Sequence, residues 1–414
     1  MKTEAARSYM LGIDVGGTFT DLTLVESDSG VTTNHKVRST PSDPSLAIMT
    51  GLSEIVSKVD DASFGQITFL GHGTTVATNA LLERRGARTA LVTTEGYRDL
   101  LDIGNQTRPS MYDLQTPSSP PILPAHMRFE ARERVDANGN NVIPLDEGSL
   151  EELLALLVKA NPEAVAVCFL FSFLNPEHER LVAKRVREKL PNAFVTISAE
   201  VAPEFREYPR VSTTTLNAYL GPVVEKYLKR FAKEVAQAGV PVQPYVTQSN
   251  GGVQSVSETV LTPVRTILSG PSAGVVAAVH LCNDLGLTKA ITFDMGGTSA
   301  DISLIDGGAP KVSLDRTIER LPVRVPMLDI VTIGAGGGSI ARIDEGGALK
   351  VGPQSAGADP GPACYGFGGS LPTVTDANAV LGRVNPGGIL GGRMSLDIEA
   401  AQLAIEQAIA APMV

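Results

Sequence analysis

Residues 13–25 read IDVGGTFTDLTLV, and residues 293–305 read FDMGGTSADISLI. With Asp14 set on Asp294, Gly16 and Gly17 fall on Gly296 and Gly297, Thr18 on Thr298, and Asp21 on Asp301. Each copy is an apolar stretch, a Gly-Gly break and a tail that alternates apolar and polar residues. That pattern predicts strand, tight turn, strand. Shared glycines alone are weak evidence. Aspartates, threonine and the alternating tail in the same register point to a duplicated unit.

The residue types suggest a chemistry. Two glycines let the backbone turn with its N–H groups outward and no Cβ in the way, so the turn can cradle phosphate oxygens. The Thr18 and Thr298 hydroxyls add donors. An aspartate does not face a phosphate directly. Asp14 and Asp294 are therefore expected to hold Mg²⁺, usually through water, or to orient a nucleophile. Two facing copies would grip one polyphosphate between two related domains.

Bulk properties narrow the field. A chain of 414 residues with 43% hydrophobic and 19% charged residues has the composition of globular domains, two or three of them. The net charge of −10 and the lack of a Lys/Arg-rich block argue against a nucleic-acid partner. Cys168, Cys282 and Cys364 are widely spaced, which predicts a reducing compartment and no disulfide frame. The N-terminus has no apolar signal core, and the run AVAVCFLF is too short to span a bilayer. A cytoplasmic protein with no membrane role is expected.

Strands and helices alternate along the chain, which predicts an α/β layer fold. Strands are expected at 10–38, ITFLGH, ARTALVT, AVAVCFLFSF and AFVTISA, and helices at SDPSLAIMTGLSEIVSKV, TTVATNALLERRG, LEELLALLVKA and PEHERLVAKRVREKL. Residues 105–127 hold five prolines and predict a loop. A long helix over about 212–238 is expected to sit apart from the opening strands, in an inserted subdomain. Helices are also expected at TDANAVLG and LDIEAAQLAIEQAIAA.

Other motifs carry less. No G-x-x-x-x-G-K-[ST] loop occurs. GPSAG, Gly270 to Gly274, matches G-x-S-x-G, but the triad would need an Asp and then a His further on, and the last histidine is His280. The better reading is a helix N-terminus, with Gly270 and Ser272, facing nucleotide phosphates. His72, at a strand end, is either a substrate contact or an ordinary core histidine. Thr74 and Thr75 open the next helix as substrate contacts or caps. Asp376 and Asn378 divide the same way between function and capping.

The doubled motif resembles the first and second phosphate loops of the actin, Hsp70 and sugar-kinase fold, with duplicated ribonuclease H-like ATPase domains and an inserted α/β subdomain. GIDVGGTFTDL, GHGTTVATNALLER, SGPSAGV, FDMGGTSADISL, TIGAGGGSIA, SAGADPGPACYG and PTVTDANAVLGR together resemble the hydantoinase/oxoprolinase family, in its A-type subunit. The resemblance implies an N-terminal domain over 8–200 and an A-type domain over 201–414 that stops short of its relatives' C-terminus. It implies ATP and Mg²⁺ held by Asp14, Gly16, Gly17, Thr18, Asp294, Gly296, Gly297 and Thr298, with Asp21 and Asp301 catalytic or supporting. Gly336 and Gly337, in GAGGGS, become a phosphate- or substrate-facing loop. It also implies ATP-dependent hydrolysis of a cyclic amide, with a B-type partner subunit. A carboxylase subunit and a non-catalytic nucleotide-binding module are the alternatives.

Overall fold

A computed structural model describes residues 7–17, 19–40, 43–107, 111–113, 115–116, 120–357, 359–385 and 394–413. Strands β1 (Tyr9–Val15), β2 (Phe19–Glu26) and β3 (Thr32–Arg38) form an antiparallel meander. Strict alternation puts Tyr9, Leu11, Ile13 and Val15 on the buried face of β1. Helix α1 (Pro44–Val56) closes this face with Ile48, Leu52 and Ile55, residues spaced by one helical turn. Strand β4 (Ile67–Thr74) runs parallel to β1. The pair Tyr245–Thr247 and Val253–Ser255 extends the sheet beyond β4 to six strands. One sheet thus takes strands from both sides of position 200.

Between β4 and the long helix lies a second sheet, built from Phe194–Ile197, Ala164–Cys168, Thr89–Thr94 and Arg128–Ala131, all parallel. Helices Glu147–Ala160 and Glu177–Lys189 pack on it through Leu150, Leu154, Val182 and Val186. This is the expected inserted α/β subdomain. Its central strand Ala164–Cys168 is buried at every position, as a parallel strand covered on both faces should be.

The long helix corrects an expectation. It spans Glu207–Gln237 and is not set apart from the opening strands. Phe231 and Val235 pack into the β1–β4 core, while Val211 and Ala218 pack against Leu91 and Ala166 of the parallel sheet. It is the spine that joins the two sheets.

The second copy of the motif forms a hairpin, Lys289–Met295 with Ala300–Asp306, edged by Ile330–Ile333. Its register repeats the first: Asp14 lies opposite Asp21, and Asp294 opposite Asp301. The turns repeat too, since Gly16 N–H donates to the Phe19 carbonyl and Gly296 N–H to the Ser299 carbonyl, both at 2.9 Å. The surroundings differ. Ile13 is 3% exposed under α1 and the long helix, whereas its counterpart Phe293 is 57% exposed. Ile291, Met295, Leu304, Val331 and Ile333 are exposed with it.

The glycine-rich stretch after Ile333 folds against the second turn. Gly337 N–H donates to the Gly296 carbonyl (2.9 Å) and Gly338 N–H to the Gly297 carbonyl (2.6 Å). A Cβ on Gly336 would stand 2.6 Å from the Ser299 nitrogen, so only glycine allows this contact. Thr375 fixes the loop from the other side, its N–H and hydroxyl both reaching the Gly337 carbonyl. No helix among the described residues is long and apolar enough to cross a membrane, and the three cysteines are buried and unpaired.

Two stability measurements check this reading. Ile13→Ala should cost about 3 kcal/mol in urea unfolding, because it empties a filled core site. Phe293→Ala should cost about 0.5 kcal/mol or less, as at a surface position. Gly336→Ala should cost about 2 kcal/mol, because backbone lies where its methyl must go; a variant as stable as the parent would refute the contact.

Candidate active site

The two hairpin turns converge on helix Ser269–Asp284. A Cβ on Gly270 would sit 3.3 Å from Asp14 Oδ1, and one on Gly274 3.9 Å from Asp294 Oδ2. Residues four apart share one helix face, so a single face meets both aspartates. Gly73, at the end of β4, closes the other side of Asp14, since a Cβ there would be 2.9 Å from Oδ1. The GPSAG stretch is therefore a spacer between two carboxylates. Gly73 and Gly274 were not singled out in the sequence; their signal was the G-x-G of GHG and the four-residue glycine spacing.

The four aspartates differ in their partners. Asp21 is paired with Lys36 Nζ at 2.8 Å. Asp301 accepts from the Thr332 hydroxyl at 2.6 Å. The Asp14 and Asp294 carboxylates take no hydrogen bond or ion pair from the described residues. Asp14 is exposed, yet the backbones of Gly73 and Gly270 lie close against its carboxylate. Desolvation there, with repulsion from Asp21 and Asp294, pushes its carboxyl above the usual aspartate value, while Lys36 pulls it down. Desolvation and Asp294 push Asp301 up in the same way, against the Thr332 hydrogen bond.

This donor set fits a hydrated divalent cation. No group of three or more His, Cys, Asp or Glu side chains that could hold a metal occurs among the described residues. Mg²⁺ is ordinarily held by one or two carboxylates, with water and phosphate oxygens completing its shell. The unpartnered Asp14 and Asp294 supply that number. Gly17, Gly297 and Thr298 are exposed beside them. Gly16 and Gly296 spend their N–H groups inside the turns. Thr18 lies outside the described residues.

Several sequence candidates have structural tasks. His72 is 0% exposed; its Nε2 lies 2.8 Å from the Tyr227 hydroxyl, and its ring packs on Phe231. Burial holds it neutral, with a pKa lowered to about 4. It is a core histidine with no surface for a substrate. Thr74 is buried and its carbonyl accepts from the Ser269 hydroxyl, while Thr75 Oγ1 donates to the Val15 carbonyl at 3.1 Å. Both tie the first turn to its neighbours. Ser272 points inward, its Oγ within 2.9 Å of the Ser249 and Leu268 carbonyls. It therefore points away from Asp14, which Gly270 approaches. Gly336 and Gly337 give their N–H groups to Ser339 Oγ and the Gly296 carbonyl, leaving neither for a phosphate. Asp376 is a buried cap, accepting from Thr373 and from the N–H groups of Ala363 and Cys364.

Comparison with known proteins places these features in a family. Residues 10–190 match the model of the hydantoinase/oxoprolinase N-terminal region, and residues 210–414 match the hydantoinase/oxoprolinase model. The caprolactamase subunit alpha of Pseudomonas jessenii is 40% identical over 412 residues, covering 98% of this chain and 59% of the relative. The crystal structure of that ATP-dependent caprolactamase superposes with a TM-score of 0.84. A nucleotide-free acetone carboxylase structure, 30% identical, superposes at 0.83 over 98% of this chain and 59% of that one. Arabidopsis thaliana 5-oxoprolinase 1 is 37% identical over 405 residues, which is 90% of this chain and 31% of the relative. The chain thus spans about three fifths of the caprolactamase subunit's length or less of these relatives. With both halves matched in order, the chain belongs to the hydantoinase/oxoprolinase family.

Proposed function

We propose that this chain is the nucleotide-handling part of an ATP-dependent cyclic amide hydrolase, with Mg²⁺–ATP gripped between the Asp14 and Asp294 turns. The observation that carries the reading is the meeting of two unpartnered carboxylates from duplicated turns on one helix face. ATP supplies a phosphoryl group that turns the oxygen of an unreactive ring carbonyl into a leaving group, and water then opens the ring. Asp14 and Asp294 hold the cation. Gly17, Gly297 and Thr298 give the polyphosphate close approach without a side-chain wall. Asp21 and Asp301, held by Lys36 and Thr332, fix the hairpin pairs behind them. A companion B-type subunit contributes to the ring site.

A carboxylase subunit is the competing reading, motivated by the likeness to acetone carboxylase. Both readings use the same nucleotide grip and differ in the electrophile. With a co-purified companion chain, ATP-dependent ring opening of lactams, hydantoins or 5-oxoproline supports the hydrolase. Carboxylation of a ketone with no ring opening overturns it.

Two measurements test the grip. Calorimetric titration with Mg²⁺–ATP should show binding that Asp14→Ala or Asp294→Ala weakens by roughly tenfold or more, the scale of a lost charge-assisted contact. Binding unchanged in both variants would sink the proposal. The second concerns pH. The folded chain holds the Asp14 proton more tightly than the unfolded chain does. Between the ordinary aspartate value and the raised one, the native state therefore carries more protons, and stability falls as pH rises through that window. Asp14→Asn should remove that fall and raise the melting temperature of the ligand-free chain at neutral pH. Mg²⁺–ATP should narrow the difference.

A further inference from the structure

The second hairpin carries a core face with nothing on it. With Asp294 set on Asp14, Ile291, Phe293, Met295 and Leu304 fall on Leu11, Ile13, Val15 and Leu24. The four residues of the first copy are buried, and the four of the second are exposed. Ile291 is 72% exposed where Leu11 is 1%. Residues paired directly in an antiparallel ladder share one side of the sheet. Ile291 lies opposite Leu304, and Val331 and Ile333 extend the rows that begin at Phe293 and Met295. The exposed residues therefore form one continuous apolar face.

The edge beside that face is open too. Strand β1 pairs with β2 on one side and with the parallel strand β4 on the other. Among the described residues Lys289–Met295 pairs with Ala300–Asp306 alone. The edge strand reads KAITFDM, with no proline, and its pairing shows no bulge. Natural sheets blunt free edges with such devices, and a bare edge next to an apolar face invites a further strand.

The first copy shows what fits. There β4 fills the edge, in a register that sets Gly73 beside Asp14. Helix α1 roofs the face with Ile48, Leu52 and Ile55. The vacant counterpart thus calls for a parallel strand and a helix with apolar residues one turn apart. A relative holds more chain: the match spans 98% of this chain but 59% of the caprolactamase subunit alpha, whose remainder lies outside it. We propose that the second hairpin docks a polypeptide that is the counterpart of that remainder. One strand lies parallel to Lys289–Met295, and one amphipathic helix covers Ile291, Phe293 and Leu304. By the register of the first copy, the end of the docked strand lies beside Asp294 as Gly73 lies beside Asp14. The partner therefore also walls the second carboxylate.

The test joins this chain, through a flexible linker, to the unmatched remainder of the Pseudomonas jessenii subunit. All measurements are made without nucleotide, so failure here leaves the ATP reading untouched. Amide exchange along Lys289–Met295 should slow at least roughly tenfold in the joined protein relative to this chain alone. Phe293→Asp should leave the melting temperature of this chain alone unchanged, because the position is exposed, and should lower it in the joined protein. It should also remove the added exchange protection. Val142→Asp, at an exposed apolar position on another sheet, should do none of this. The proposal is overturned if exchange along Lys289–Met295 is unchanged on joining, or if its protection survives Phe293→Asp. Light scattering showing that this chain alone forms a dimer lost in Phe293→Asp would also overturn it, since a second copy would then be the occupant.

Discussion

Everything in the candidate site depends on how closely one helix approaches two hairpin ends. Gly270 and Gly274 have no Cβ to hold Asp14 and Asp294 away from the backbone of helix Ser269–Asp284. Alanine at position 270 would crowd Asp14 Oδ1 at 3.3 Å and make it give way slightly, whereas alanine at position 274 would meet Asp294 Oδ2 at 3.9 Å in ordinary contact. The first turn is secured to this arrangement by Thr75, which bonds the end of β1, and by Ser269, which bonds the Thr74 carbonyl. The second turn is secured by the carbonyl contacts of Gly337 and Gly338. The helix is the fixed element, and both turns are registered against it.

This arrangement keeps charge where folding alone would not put it. Desolvation, with repulsion from Asp21 and Asp294 added to it, makes a charged Asp14 unfavourable in the ligand-free protein and pushes its carboxyl above the usual aspartate value. The neighbours show what relief looks like, since Asp21 has Lys36 and Asp301 has Thr332. An unrelieved pair between two relieved ones is the feature on which the proposed cation site rests.

Local chemistry was readable from the sequence, and long-range packing was not. The doubled hairpin was legible because alternation, glycines and aspartates are all local signals, and the structure repeats its register residue for residue. The inserted parallel sheet followed from buried runs such as Ala164–Cys168. The long helix was legible as a helix but misplaced, because nothing local says that Phe231 will reach the first core while Ala218 reaches the second. The membership of Tyr245–Thr247 in the first sheet is a pairing with Gly71 and His72, far away along the chain, and is invisible to periodicity. Among site candidates, the structure brings Asp14 and Asp294 to one helix face. It buries His72 and turns Ser272, Gly336 and Gly337 to neighbouring groups, because a polar residue or glycine near a motif looks the same in sequence whether it faces a ligand or a neighbouring backbone.

The exposed face of the second hairpin gives the duplicated halves unequal mechanical standing. In the first copy, Leu11, Ile13 and Leu24 are roofed by helices, so opening that hairpin means breaking a core. In the second, Ile291, Phe293 and Leu304 face solvent, and the hairpin is retained largely by its ladder, by the helix on its other face and by the glycine loop beneath its turn. Amide exchange would therefore report two tiers, with β1 and β2 opening only globally and Lys289–Asp306 opening through cheap local excursions.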